Sequence, residues 1–131
     1  MMSLDDKKAL IAYRIENSMQ TLEEIPTHIS NGYLKTAINR MYYACFYMVT
    51  ALLIKNNISV YTHAGVRQML GLHFVKEGKL EIKMSKFYND LFVNRQEGDY
   101  SDFVYYDSET VSEMFDQAIQ FVKAIQKLIE D

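Results

Sequence analysis

A guanidinium, two carboxylates and a phenol fall together in Arg95-Gln-Glu-Gly-Asp-Tyr100. The guanidinium stays charged at any ordinary pH and grips phosphate as a fork, so Arg95 suits the stabilisation of charge on a scissile phosphate. Asp99 can accept a proton, although an ordinary carboxyl is a weak acid catalyst unless burial raises its pKa. Tyr100 is a poor base at neutral pH, because a phenol titrates near pH ~10. Arg95 also continues the apolar register Met84, Phe87, Leu91. It is therefore either paired with a nearby acid, Asp99 or Asp102, or turned toward a partner. A second constellation is His63 with Arg67, four residues apart and so on one helix face. Arg40 or Tyr43 from the neighbouring helix would complete a small polar pocket for a phosphate or nucleotide; the alternative is a solvated polar face.

Other combinations offer less. Arg67 and His73 are separated by five residues, but six helical steps turn about 600°, about 120° from alignment. His73, between Leu72 and Phe74, reads as half-buried structure. His28 lies in a turn beside Pro26. Three scattered histidines and the single Cys45 give no metal-ligand spacing, so neither a metal nor a cofactor is expected. Cys45 falls on an apolar helix face, which suits an inert core thiol. Lys76, Lys79, Lys83 and Lys86 recur three or four apart. They would form a basic stripe for phosphates if one helix carried them all; a solvated face is the plainer reading. Positions 97–109 hold five acids and no lysine or arginine, a surface that repels a polyanion and suits a basic protein partner.

Helices must position these groups. Ser3 can cap the first, with Asp5 and Asp6 in its opening turn. Leu4, Ile11, Ile15, Met19 and Leu22 recur at helical spacing, and Pro26 ends the segment. The second helix starts near 30–33 and runs to about Lys55, with Leu34, Ile38, Met41, Cys45, Met48 and Leu52 as a stripe wide enough to make it central. Asn56 and Asn57 stop it. Thr62 caps a short third helix carrying Val66, Met69, Leu70 and Phe74, which ends near Gly78. Leu80, Met84, Phe87 and Leu91 mark a fourth, closed by Gly98. Asp107 or Ser108 starts the last, whose Val111, Met114, Phe115, Ala118, Val122, Ile125 and Ile129 give a clean apolar face. The fold expected is all-α, an up-down helical bundle of four long helices plus one short helix, with an irregular stretch over 96–107. Val104-Tyr105-Tyr106 has no partner strand. Tyr100, Tyr105 and Tyr106 in such a loop suit an interface.

The 131 residues suit one domain over 1–131. With 49% apolar residues, one proline and five glycines, the chain should fold into long helices rather than stay disordered. A net charge of −3 does not advertise nucleic-acid binding by the chain as a whole. Charges recur through positions 1–24 and leave no apolar leader core, while the apolar run at 44–54 is too short for a bilayer. A cytoplasmic protein without membrane contact is expected.

The chain resembles the HEPN family of small helical bundles. The resemblance rests on Arg40-Met-Tyr-Tyr43 in the long second helix, on Thr62-His63-Ala-Gly-Val-Arg67 leading toward Phe74-Val-Lys-Glu-Gly-Lys79, and on the Arg95 segment, in that order. Many HEPN domains are ribonucleases of prokaryotic defence and toxin–antitoxin systems, and their hallmark is an arginine followed after four to six residues by a histidine. Here those positions hold Tyr100, Ser101 and Asp102. The histidine is absent, and the chain looks like a subgroup with Asp-Tyr in its place. The resemblance implies a homodimer that brings the Arg95 regions together. It also implies metal-independent attack on RNA by its own 2′-hydroxyl, with Arg95 on the phosphate and Asp99 and Tyr100 in support. A minimal nucleotidyltransferase is the implied partner. In some HEPN toxins such a partner adenylylates a tyrosine beside the active arginine, which points to Tyr100, although the family places that tyrosine just after the histidine. The expected function is a component of a toxin–antitoxin or nucleotidyltransferase-linked system that binds nucleotide, RNA or a cognate protein. The missing histidine leaves ribonuclease activity open. The alternative is a noncatalytic interaction module using the 96–107 loop.

Overall fold

Caps, stripes and stops become helices close to where the sequence places them. The computed structural model describes residues 2–100 and 106–131, with side chains throughout except at 96–100. Its helices are α1 (Leu4–Ser30), α2 (Leu34–Lys55), α3 (His63–Leu70), α4 (Ile82–Tyr100) and α5 (Ser108–Glu130). No strand occurs among the described residues. Three helices start on a side chain that accepts a backbone N–H three residues ahead: Ser3 from Asp6, Thr62 from Gly65 and Asp107 from Thr110. The bond from the Thr110 backbone also holds the Asp107 carboxyl below its ordinary pKa. α1 and α2 both stop on a left-handed residue, Gly32 at φ 77° and Asn57 at φ 59°. The next N–H then reaches back, Tyr33 to His28 O at 2.8 Å and Ile58 to Leu53 O at 2.9 Å.

α2 is the axis of the bundle. It touches α1, α3, α4 and α5, and its Ile38, Met41, Cys45, Met48 and Leu52 are all buried. α1 and α2 run antiparallel, since the bonds from Lys7 to Asn57, Ser18 to Ala44 and Arg40 to Thr21 climb one helix as they descend the other. In the buried seam between them Ser18 Oγ donates to Ala44 O at 2.7 Å, which satisfies a hydroxyl that would otherwise be stranded. α5 packs on α2 and buries Val111, Ala118, Phe121, Val122, Ile125 and Ile129, with Phe121 stacked on Tyr88 of α4 at 5.3 Å. Lys55 Nζ, at the end of α2, donates to Ile129 O near the end of α5. By length and composition α2 could cross a membrane, but 67% of its most apolar window is buried inside the bundle, as in a core helix. Cys45 is fully buried, and burial pushes its thiol pKa far up.

Several expectations give way. Pro26 does not end α1, which continues to Ser30. A proline forfeits one backbone N–H bond, and the final turn stays anchored by buried Ile25, by Ile29 on the core and by the backward bonds of the 31–33 turn. His28 is therefore on a helix, 3.3 Å from Glu24, rather than in a turn. Gly98 does not close α4, whose backbone stays helical through Tyr100. One glycine inside a helix costs about 1 kcal/mol relative to alanine, and α4 is already fastened to the core by Tyr88 and Leu91. Of the irregular stretch expected over 96–107, positions 96–100 are therefore helical, and 101–105 lie outside the described residues. Beyond Leu70 the chain winds on as a π-helical turn, Gly71–Val75, with Lys76 N bonded to Gly71 O at 2.9 Å. The wider turn keeps Phe74 buried but leaves His73 exposed instead of half-buried.

Candidate functional site

Tyr42 is the hub on which three helices meet. It is fully buried on α2, and its ring stacks on Tyr88 of α4 at 5.6 Å with an interplanar angle of 6°. Tyr43, Phe46 and Phe92 surround it with ring centroids 5.3, 5.9 and 5.6 Å away. Its hydroxyl hydrogen-bonds His63 Nδ1 at 2.7 Å. Burial pushes the phenol pKa up to about 12, so it remains protonated at neutral pH. His63 is the first residue of α3, immediately after the Thr62 cap, and its ring stacks on Phe46 at 4.5 Å. Burial, reinforced by the charge of Arg95, lowers its pKa below the ordinary 6.5. The imidazole is thus neutral near pH 7. Tyr42 engages one ring nitrogen and leaves Nε2 for another group.

Arg95 approaches the same hub from α4. Its guanidinium donates to Tyr43 Oη at 3.2 Å and lies 5.0, 5.6 and 5.5 Å from the ring centres of Tyr42, Tyr43 and Phe92. Arg67 of α3 sits 4.1 Å over the Phe92 ring. Two guanidiniums therefore share one aromatic ring. Each has a buried Nε without a hydrogen-bond partner among the described residues. The ion pairs of those residues join His28 and Arg40 to Glu24, Lys83 to Glu81 and Lys86 to Asp90, and neither Arg67 nor Arg95 belongs to one. Like charges gathered in a half-dry setting favour the arrival of an anion, and the ring faces offer stacking surface for a base.

The other expected residues sort by position. Arg40 lies 5.8 Å from the Tyr43 ring, on the α1 side. It donates from Nε to Glu24 at 2.8 Å and from Nη2 to Thr21 at 3.4 Å, so its charge is already matched. The side chains of Asp99 and Tyr100 lie outside the described residues, as do Ser101, Asp102 and Tyr105. Tyr106 is half-buried and donates to Asn94 O at 3.3 Å. Arg67 covers Phe92 whereas His73 is exposed, so these two make no joint site. The lysine stripe is broken, because Gly78 at φ 75° separates Lys76 from α4, which begins only at Ile82. Lys83 also faces Glu81 at 3.5 Å and Lys86 faces Asp90 at 2.9 Å. No cluster of three or more metal-ligating side chains occurs among the described residues.

Sequence reasoning missed the platform itself. Tyr42 was part of a motif without a role, and Phe46, Tyr88 and Phe92 entered neither the motifs nor the apolar stripes. The available signal was spacing: Tyr42 and Phe46 are four apart, and Tyr88, Phe92 and Arg95 follow at steps of four and three, each set on one helix face.

Comparison with known proteins fits this architecture. The HEPN domain profile matches residues 11–128. A UPF0332 protein of Thermotoga maritima is 38% identical over 98% of this chain and 97% of its own length. Two proteins of Methanocaldococcus jannaschii with provisional toxin names are each 31% identical. One aligns over 95% of this chain and 98% of itself, the other over 66% and 58%. With the profile spanning nearly the whole bundle and the Thermotoga relative aligned from end to end, this chain belongs to the HEPN domain family.

Proposed function

We propose that the chain is the toxin-type component of a prokaryotic toxin–antitoxin or nucleotidyltransferase-linked pair, and that it cleaves RNA without a metal at the Arg95–His63 cluster. The observation that carries this reading is the convergence of His63 from α3 and Arg95 from α4 on Tyr42. The relatives with toxin names support it. Arg95, with Arg67 beside it, binds the non-bridging phosphate oxygens and stabilises the charge that builds on them. Neutral His63 accepts the 2′-hydroxyl proton at Nε2. The 2′-oxygen bonds to phosphorus, the bond from phosphorus to the 5′-oxygen breaks, and that oxygen regains a proton from the imidazolium. The products are a 2′,3′-cyclic phosphate and a 5′-hydroxyl end.

His63 thereby stands in for the histidine that does not follow Arg95. Asp99 and Tyr100 would support the phosphate from the end of α4, and Tyr100 would be the acceptor for a nucleotidyltransferase partner. A cytoplasmic homodimer would set two such clusters against each other. The rival, a noncatalytic module acting through the 96–107 loop, is weakened because Tyr106 docks back on Asn94. The test is incubation of the purified protein with total RNA in EDTA, beside Arg95→Ala and His63→Ala. Cleavage to cyclic-phosphate ends by wild type, lost in both variants, is expected. A folded wild type that leaves RNA intact would refute the nuclease reading and move the function to binding alone.

A further inference from the structure

His63 also lies at one end of a groove of about 970 Å³ between α1, α2 and the segment that leads into α3. Its lining includes Lys7 and Arg14 from α1 and no carboxylate. Arg14 Nε is buried and has no hydrogen-bond partner among the described residues, and Arg14 enters no ion pair there. Lys7 Nζ donates to Asn57 Oδ1 at 2.8 Å, a neutral acceptor that orients the ammonium without cancelling its charge. Tyr61, at the groove, is 95% exposed, far more than a packed aromatic would be. Asn57, Ser59 and Thr62 add polar groups along the wall. The volume is that of a pocket for a nucleotide-sized ligand, mostly apolar with a few converging polar atoms.

We infer that this groove seats a phosphorylated nucleotide unit, with Arg14 and Lys7 on the phosphate and Tyr61 against the base. Two unneutralised cations and an exposed aromatic beside a catalytic imidazole match a strand that continues past the cleaved bond. The identification of that unit as part of an RNA strand rests on the reading of His63 and Arg95 given above. The same chemistry would accept a free nucleotide, so the test carries both.

Binding is measured in EDTA with a fluorescent 2′-O-methyl oligoribonucleotide, whose blocked 2′-oxygens cannot attack, and separately with AMP and ATP. The proteins are wild type, Arg14→Gln, Arg14→Lys, Lys7→Ala and Arg95→Ala, each checked for an unchanged melting curve. Arg14→Gln should weaken oligonucleotide binding about tenfold or more and reduce the salt slope by about one, with partial rescue in Arg14→Lys and a smaller loss in Lys7→Ala. Loss in Arg95→Ala with Arg14→Gln indistinguishable from wild type would overturn the groove and leave the cleavage site standing. Binding of AMP or ATP alone, lost in Arg14→Gln, would support the groove as a free-nucleotide site and sink the RNA reading. Binding of neither probe by wild type would overturn both.

Discussion

The bond from Tyr42 to His63 can be isolated by a pair of substitutions that spare the rings. Tyr42→Phe removes the hydroxyl 2.7 Å from Nδ1 but keeps the stack on Tyr88 and the contact with Arg95. His63→Phe removes Nδ1, whose N–H donates to the phenol in the tautomer that leaves Nε2 bare as the base, and keeps a ring on Phe46. A neutral hydrogen bond contributes about 0.5–1.5 kcal/mol net. For 131 residues, 1 kcal/mol corresponds to about 3–4 °C in Tm. Tyr42→Phe should therefore lower Tm by about 2–5 °C, since a gain of that size per bond is what the phenol loses. Urea denaturation of wild type, both single variants and the double variant then gives the coupling free energy, expected near 1 kcal/mol. Long-range nitrogen–proton spectra of the imidazole add a second readout. Wild type should show one dominant tautomer, and Tyr42→Phe a mixture. A coupling within error of zero, together with identical imidazole spectra, would show that the bond is not formed in solution and that His63 is not held for chemistry.

Four further outcomes follow from the structure. An NMR titration should place the His63 pKa below 6.5. Because the folded value is the lower one, its contribution to stability is complete above 6.5 and is lost as pH falls through the folded pKa, and RNA cleavage should fall over the same window; a pKa at or above 6.5 would contradict the burial of the ring. Leu52→Ala, at a fully buried position of α2, should cost about 2–5 kcal/mol in urea unfolding, and a loss under about 1 kcal/mol would mean that α2 is not the axis. Thr62→Ala should cost about 1 kcal/mol by removing the cap of α3. Gly65→Ala should give no compensating gain, because its new Cβ would stand 2.9 Å from Thr62 Oγ1; a stabilised Gly65→Ala protein would argue against the cap.

Local chemistry made much of the bundle readable. Ser3, Thr62 and Asp107 cap where their side chains allow it, and the α2 stripe names the core because burial follows the helical period. Pro26 and Gly98 misled because a breaker acts on one hydrogen bond or one backbone entropy term, while tertiary packing holds the whole helix. The site was half legible. His63 with Arg67 and Tyr43 follows from spacing along and between helices, and Arg95 from its motif. Their meeting on Tyr42 depends on how α3 and α4 pack against α2, which no local pattern encodes. Arg14 was invisible for the same reason, as nothing in α1 marks it apart from the groove that it faces.

The two guanidiniums around Phe92 set the bundle's interests against each other. Their stranded Nε atoms cost the fold stability, whereas leucine or methionine at either place would fill the same space without that penalty. A library of this protein screened only for heat resistance should therefore drift toward apolar residues at 67 and 95, and, on the nuclease reading proposed above, one screened for RNA cleavage should keep both arginines. Thermal hardening and the proposed cleavage would pull the same two codons in opposite directions.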